Sequence, residues 1–267
     1  MKAILQYTFI FLLSAGLWAC SDSGSGGSDS ENRTPPQMHK LEQSVTVDIS
    51  YFEQNEPKQL YAQATSTTTN YYMGKQFVLF VVGSFTFGPA NMGFLNSTYG
   101  QTAEYNDGQW VWTYGATTSG VSVSFEMIAK ELTDAIHWEL YWSASSAEVR
   151  FEDYKFMEGT VSKDGTTGEW SIYSFAGAMA SEEEILLRNV TWSNSENSSE
   201  IVSKVFNSND ETLTVSYTRN GADYTMTITG PDGESNVTWN TETKEGSITE
   251  EGATKCWGSN FQNIPCS

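Results

Sequence analysis

The stretch Gln109-Trp110-Val111-Trp112-Thr113-Tyr114 decides the fold of this chain. Its aromatic rings fall on every second residue with smaller side chains between them, the two-residue period of a strand that buries one face. The alternation continues outward. Val121, Val123, Phe125 and Met127 share one face of the next segment; Ile136, Trp138, Leu140 and Trp142 share one face of a third, with His137, Glu139 and Tyr141 opposite. Later strands are expected at Phe151–Val161, Glu169–Phe175, Leu187–Trp192, Ile201–Phe206, Leu213–Thr218, Tyr224–Thr229, Ser235–Asn240 and Gly246–Thr249. Between several of them stand Asp107-Gly108, Asp164-Gly165, Asn220-Gly221 and Asp232-Gly233, dipeptides that accept the positive φ of a tight hairpin corner. Strands joined in sequence by such corners make a mainly β fold, an antiparallel meander of about nine to eleven strands over residues 105–250. A long exposed edge invites aggregation, so the sheet is expected to curl into a barrel or half-barrel.

The region before this meander reads differently. Ser44-Val45-Thr46-Val47-Asp48-Ile49 looks like a strand opening a single folded domain at 43–267. Within 57–100, Tyr71, Tyr72 and the run Phe77 to Val82, then Phe85, predict a helical segment packed on or in the barrel. A break is expected near Gly88-Pro89, with a short second helix toward Leu95. The run is interrupted by Gly74, Lys75 and Gln76 and is too short to span a bilayer.

The N-terminus has the layout of a secretory leader over residues 1–19: Lys2, the apolar run Ile4 to Leu13, then Ser14-Ala15-Gly16. Leu17, Ala19 and Cys20 resemble the lipobox of bacterial lipoproteins, with Trp18 where a small residue is usual. The resemblance implies cleavage before Cys20, acylation of that cysteine with palmitate-like chains, and anchorage in the cell envelope. The outer membrane is the expected site, on its periplasmic or surface face. Residues 20–42 then form a tether, rich in Ser, Gly and Asp as far as Pro35-Pro36, with almost nothing to bury. If Cys20 carries lipid, Cys256 and Cys266 are left as a pair, and an oxidising envelope favours a disulfide loop over 256–266. A loop this short stabilises by about 2–3 kcal/mol. Two thiolates with no nearby His make a poor zinc cage.

Charge excludes one class of partner. The chain holds 33 acidic and 14 basic residues, a net −19, and no basic cluster to displace counterions from phosphates, so nucleic acid is not a partner. An anionic membrane would repel the domain, which leaves the lipid on Cys20 as the membrane-directed element.

Chemistry is sparse. Of the histidines, His39 lies in the tether and His137 on a strand with Glu139 and Tyr141 along the same face, a row whose plain reading is a solvent-facing surface. The sequence has no nucleophile elbow, zincin motif or phosphate loop. Glu126, Glu131, Glu139, Glu152, Asp153, Glu158 and Glu169 are candidate carboxylates for glycan chemistry, but 33 acids make any facing pair uninformative. Asn207 to Glu211 and Asp232-Gly233-Glu234 offer oxygen ligands without EF-hand spacing and read as solvated turns. No catalytic residue, metal or cofactor is expected.

Tryptophan is the unusual asset. Trp110, Trp112, Trp138, Trp142, Trp170, Trp192 and Trp239 fall at strand positions. Most should fill the interior; the functional alternative is that Trp110, Trp112, Trp138, Trp142 and Trp170 face an apolar ligand. Trp110-Val111-Trp112-Thr113-Tyr114, Trp138-Glu139-Leu140-Tyr141, Phe156-Met157-Glu158-Gly159-Thr160, Gly165 to Trp170, Val237-Thr238-Trp239-Asn240 and Cys256-Trp257 to Cys266 together resemble an uncharacterised family of Trp-rich β-meander lipoproteins of the Gram-negative envelope. That resemblance covers most of residues 40–267 and implies a fold but no activity. The reading favoured on sequence is a non-enzymatic, lipid-anchored module binding an apolar or lipid-like molecule in its barrel. The alternative is a structural or assembly lipoprotein acting on a protein partner through loops such as Asn194–Glu200. A carboxylate-dependent glycan enzyme carries the least weight.

Overall fold

All four Asx-Gly dipeptides stand at corners between paired strands. Asp107 and Gly108 both take positive φ, 48° and 85°, the combination a two-residue hairpin demands. The structure, a computed structural model, describes residues 34–36, 45–55, 69–85, 102–118, 120–147, 150–174, 184–207 and 210–266. Within them lie β1 Glu104–Asn106, β2 Gln109–Thr118, β3 Val121–Glu131, β4 Ala135–Ser145, β5 Arg150–Ser162, β6 Thr167–Tyr173 and β7 Leu186–Asn194. The second half continues with β8 Ser198–Asn207, β9 Asp210–Asn220, β10 Asp223–Gly230, β11 Gly233–Asn240, β12 Gly246–Glu250, β13 Ala253–Trp257 and β14 Asn263–Ile264. Every strand pairs antiparallel with its neighbours in sequence, so the fold is a mainly β meander of 14 strands.

Each strand expected from Gln109 onward is found, with β6 ending at Tyr173. The expected number was too low because β1, β13 and β14 are short, and because the β12–β13 corner is Glu251-Gly252, with Glu251 at φ 52°, rather than an Asx-Gly. The ladder runs linearly from β1 to β14 and does not return to β1, so the sheet is not a closed barrel. Its end strands, of 3 and 2 residues, leave little free ladder to pair with another chain.

One row of register partners crosses five strands: Trp110, Ala129, Trp138, Gly159, Trp170. Large and small side chains alternate along it, so Trp138 has a small neighbour on either side, Ala129 and Gly159, and Trp110 and Trp170 have one each. A Cβ at Gly159 would collide with the Glu169 carbonyl and the Trp170 ring. Gly168 against Trp192 and Gly246 against Trp257 repeat the arrangement. The buried face is one continuous core from β2 to β13. Laid flat, 14 strands spaced at about 4.8 Å would be more than 60 Å wide. The two helices among the described residues are too short to cover the whole of such a face. Two irregularities in the β4–β5 pairing, at Leu140/Tyr141 and Trp142/Ala144, supply local bending. At the second, Asp153 takes φ 49° and exchanges hydrogen bonds with Ser143.

Helix α1 (Ser50–Gln54) and helix α2 (Asn70–Phe85) pack at the C-terminal side of the sheet. Tyr71, Gly74, Val78, Val81 and Phe85 form the buried stripe of α2. Gly74 sits where a Cβ would stand 3.0 Å from the Trp257 ring and 3.5 Å from Val237, so the helix seats directly on β11 and β13. A helix was expected within 57–100 and is found at 70–85; the break at Gly88-Pro89 and the helix toward Leu95 lie outside the described residues, as do the leader, Cys20 and most of the tether. The strand expected at 44–49 is corrected: Val45 to Ile49 have no ladder, although Val45, Val47 and Ile49 pack on the core. Asp48 is the reason, since its carboxylate accepts from the Ser50 amide at 3.0 Å and turns the chain into α1. Cys256 and Cys266 lie at disulfide distance, with Cα atoms 5.3 Å apart.

The glycine–indole contacts make a prediction. Gly159→Ala and Gly246→Ala should each lower stability in urea unfolding by about 1–3 kcal/mol through overpacking. Gly115→Ala, whose Cβ would meet nothing nearer than 3.6 Å, should be neutral or stabilising by up to about 1 kcal/mol.

Candidate functional site

The tryptophans singled out as ligand-facing all lie on the inner face, and most are already covered. Trp110, Trp112, Trp138 and Trp170 are 3, 5, 2 and 2% exposed. Trp112 stacks on Trp138 with centroids 5.9 Å apart. Trp142 is half-buried between Phe125, stacked at 5.5 Å, and Phe151, edge-on at 5.3 Å. These rings contact one another and the small residues between them. Trp192 donates to the Gly165 carbonyl at 3.1 Å and Trp257 to the Tyr51 hydroxyl at 3.0 Å. The buried indole N–H groups of Trp110, Trp138, Trp170 and Trp239 have no hydrogen-bond partner, and each unmade bond costs about 1–3 kcal/mol.

Space is found at the rims instead. A cleft of about 300 Å³ opens where Ile136, Trp138 and Val161 meet Thr34, Pro35 and Pro36. Pro35 and Pro36 are half-buried there, while Thr34 is exposed. A second cleft of about 360 Å³ lies at the opposite strand ends, lined by small residues such as Ala116, Ser124 and Ala144 beside Phe151.

The aromatic plug beside β9–β13 is tied by Asp48. Tyr224 donates to its Oδ2 at 3.1 Å, and the Asp48 amide donates to the Tyr217 hydroxyl at 3.4 Å. Partial burial pushes the Asp48 carboxyl up, but bonds from Ser50 and Tyr224 and the charge of Arg219 outweigh it and hold the group below its ordinary 3.8. Burial pushes the Tyr51 hydroxyl up to about 12; it donates to the Lys244 carbonyl at 3.0 Å.

On the outer face, the His137, Glu139 and Tyr141 row is joined by residues of β5 and β6. Glu139 stands directly across from Glu158, and His137 from Thr160. His137 Nε2 is 3.7 Å from Glu139 Oε1, and its Nδ1 is 3.1 Å from Thr160 Oγ1. In a regular strand Lys155 and Glu158 would point to opposite faces. The bulge that buries both Phe156 and Met157 brings them to one side, with Lys155 Nζ 2.9 Å from Glu158 Oε2 and 3.6 Å from Glu184 Oε2. Tyr173 donates to Glu158 Oε1. Partial burial pushes Glu158 up, yet Tyr173 and Lys155 hold its pKa below the ordinary carboxylate value. Alternation alone exposes the β4 row; what brings Glu158, Lys155, Thr160 and Tyr173 beside it is register and a bulge, neither of which is visible in one strand's sequence.

The other candidates do not converge. Glu152 pairs with Arg150 at 2.7 Å in open solvent, Glu126 and Glu131 stand at separate positions of β3, and Glu169 lies on β6. Glu211 is engaged by Lys204 at 3.0 Å and Thr214 at 2.6 Å, and Asp232 to Glu234 form an exposed corner. The Asn194–Glu200 loop is closed by Ser195 and Ser198 and gripped by Arg219, which donates to the Glu196 carbonyl at 3.0 Å. His39 lies outside the described residues. Comparison with known proteins found no matching family model, no similar curated protein and no similar solved structure.

Two measurements follow. Because the Asp48 pKa is depressed in the folded state, its stabilisation is complete above 3.8 and lost as pH falls below that value. Asp48→Asn should therefore flatten the acid limb of a stability–pH curve. Trp138→Ala should cost about 3–5 kcal/mol in urea unfolding. Trp138→Phe keeps a ring and removes the unsatisfied N–H, and should recover more than half of that loss.

Proposed function

We propose that the chain is a non-enzymatic, lipid-anchored protein of the bacterial cell envelope whose half-barrel serves as a rigid scaffold for a protein partner. The observation that carries this reading is the occupied inner face: the indoles that would line a ligand chamber are at most 5% exposed, apart from half-buried Trp142, and pack on one another. Work is then left to the outside. On α2, Tyr72, Leu79 and Phe80 are 43, 40 and 79% exposed, an apolar row on a helix whose other face is fully seated. An exposed apolar row is where a protein partner would be seated. Leader, Leu17, Ala19 and Cys20 support the anchor, with the outer membrane as its place.

A photo-crosslinking residue at position 80 of the full chain, expressed in intact cells, should give a discrete protein adduct that is missing when the probe stands at Asp232. Adducts to lipid alone, or none, would remove the partner reading. Labelled palmitate should enter the wild-type chain and not Cys20→Ser; incorporation into both would remove the anchor.

A second reading is favoured by the cleft at Trp138. A small apolar molecule would rest there against Ile136, Trp138 and Val161, with Glu131 and Lys163 at the edge, rather than inside the sheet. Native mass spectrometry after mild extraction distinguishes the two, since the scaffold reading expects no retained ligand. Glycan hydrolysis by Glu139 and Glu158 is the weakest alternative, because Tyr173 and Lys155 already occupy both oxygens of Glu158.

A further inference from the structure

We propose that His137, Glu139 and Glu158 form a binding site for a divalent transition-metal ion on the outer face of β4 and β5. The proposal stands apart from anchorage and from any protein partner. His137 offers one ring nitrogen and each glutamate one oxygen, and the three atoms lie within 4.8 Å of one another. An ion held at about 2.0–2.2 Å from each donor needs them about 3–4 Å apart, a spacing that small side-chain rotations supply.

The arrangement differs from an ordinary acidic patch in three respects. The first is the nitrogen donor, which selects zinc-like ions over calcium or magnesium. The second is orientation from outside the trio. Thr160 holds His137 through Nδ1, which leaves Nε2 directed toward Glu139. Tyr173 hydrogen-bonds Glu158 on the side away from Lys155. Ligands of real metal sites are fixed by just such outer partners, which set the imidazole tautomer and stop the carboxylates swinging. The third is the resident cation. Lys155 sits between Glu158, at 2.9 Å, and Glu184, at 3.6 Å. An arriving ion can take Glu158 while the ammonium keeps Glu184, so no charge is stranded by the exchange. The side chains of His137 and Glu139 are 33 and 28% exposed, open enough for entry and covered enough to be held. Three protein donors leave a further position on the ion for water or an external ligand.

The test is a calorimetric titration of the metal-free, detergent-solubilised full chain with Zn²⁺, paired with Co²⁺ absorption spectroscopy. One saturable equivalent is expected, undisturbed by excess Ca²⁺. His137→Gln and Glu158→Gln should each weaken it by about 10–100-fold, while Lys155→Met, which removes the competing ammonium, should tighten it. Asp232→Asn, at a distant exposed corner, should change nothing. Urea unfolding of each variant separates loss of the site from loss of the fold. Absence of saturable binding, or binding equally strong in His137→Gln, or displacement by Ca²⁺, would overturn the proposal, the last two by showing diffuse attraction to an acidic surface.

Discussion

The structure depends on fitting very large flat side chains into a single-layer sheet without forcing its strands apart. Indoles on adjacent strands in register would crowd, since directly opposed residues stand about 4.5–5.5 Å apart at Cβ. The chain avoids this by alternating size across strands as well as along them. Ala129 separates Trp110 from Trp138, and Gly159 separates Trp138 from Trp170. Trp170, Trp192 and Trp257 each lie over a glycine of the neighbouring strand, where a Cβ would not fit. Buried N–H groups left without partners are what this packing costs.

The irregularities in the β4–β5 pairing connect architecture to chemistry. They bend the sheet and let Phe156 and Met157 both enter the core. The same extra residue delivers Lys155 to the outer face beside Glu158. One local departure from regular pairing thus shapes the interior and brings Lys155 into a charged cluster with Glu158 and Glu184.

Much of this was legible in the sequence, and the reason is period. Trp110 to Tyr114 and Ile136 to Trp142 announce strands because burial on one face enforces alternation, and Asp107-Gly108 announces a corner because so few dipeptides tolerate its backbone. Short strands escaped notice: two or three residues carry no period, and Glu251-Gly252 turns without the usual signal. Val45 to Ile49 alternate like a strand yet lack a ladder, because the pattern reports which side chains are buried and not what the backbone bonds to. The outer cluster was half visible. His137 and Glu139 share a strand, but Glu158 and Tyr173 join them only through register, which a single sequence does not state.

The contact between Trp257 and Tyr51, 206 residues apart, has a bearing on biogenesis. Hairpins of the meander can zip up one after another as they emerge, since each strand needs only its predecessor. The aromatic residues of α1 and α2 cannot settle until β11 to β13 exist, so the earliest-made part of the domain is the last to find its seat. During that interval Phe52, Tyr71 and Val78 lie bare, and the unfinished chain presents an apolar surface prone to aggregate.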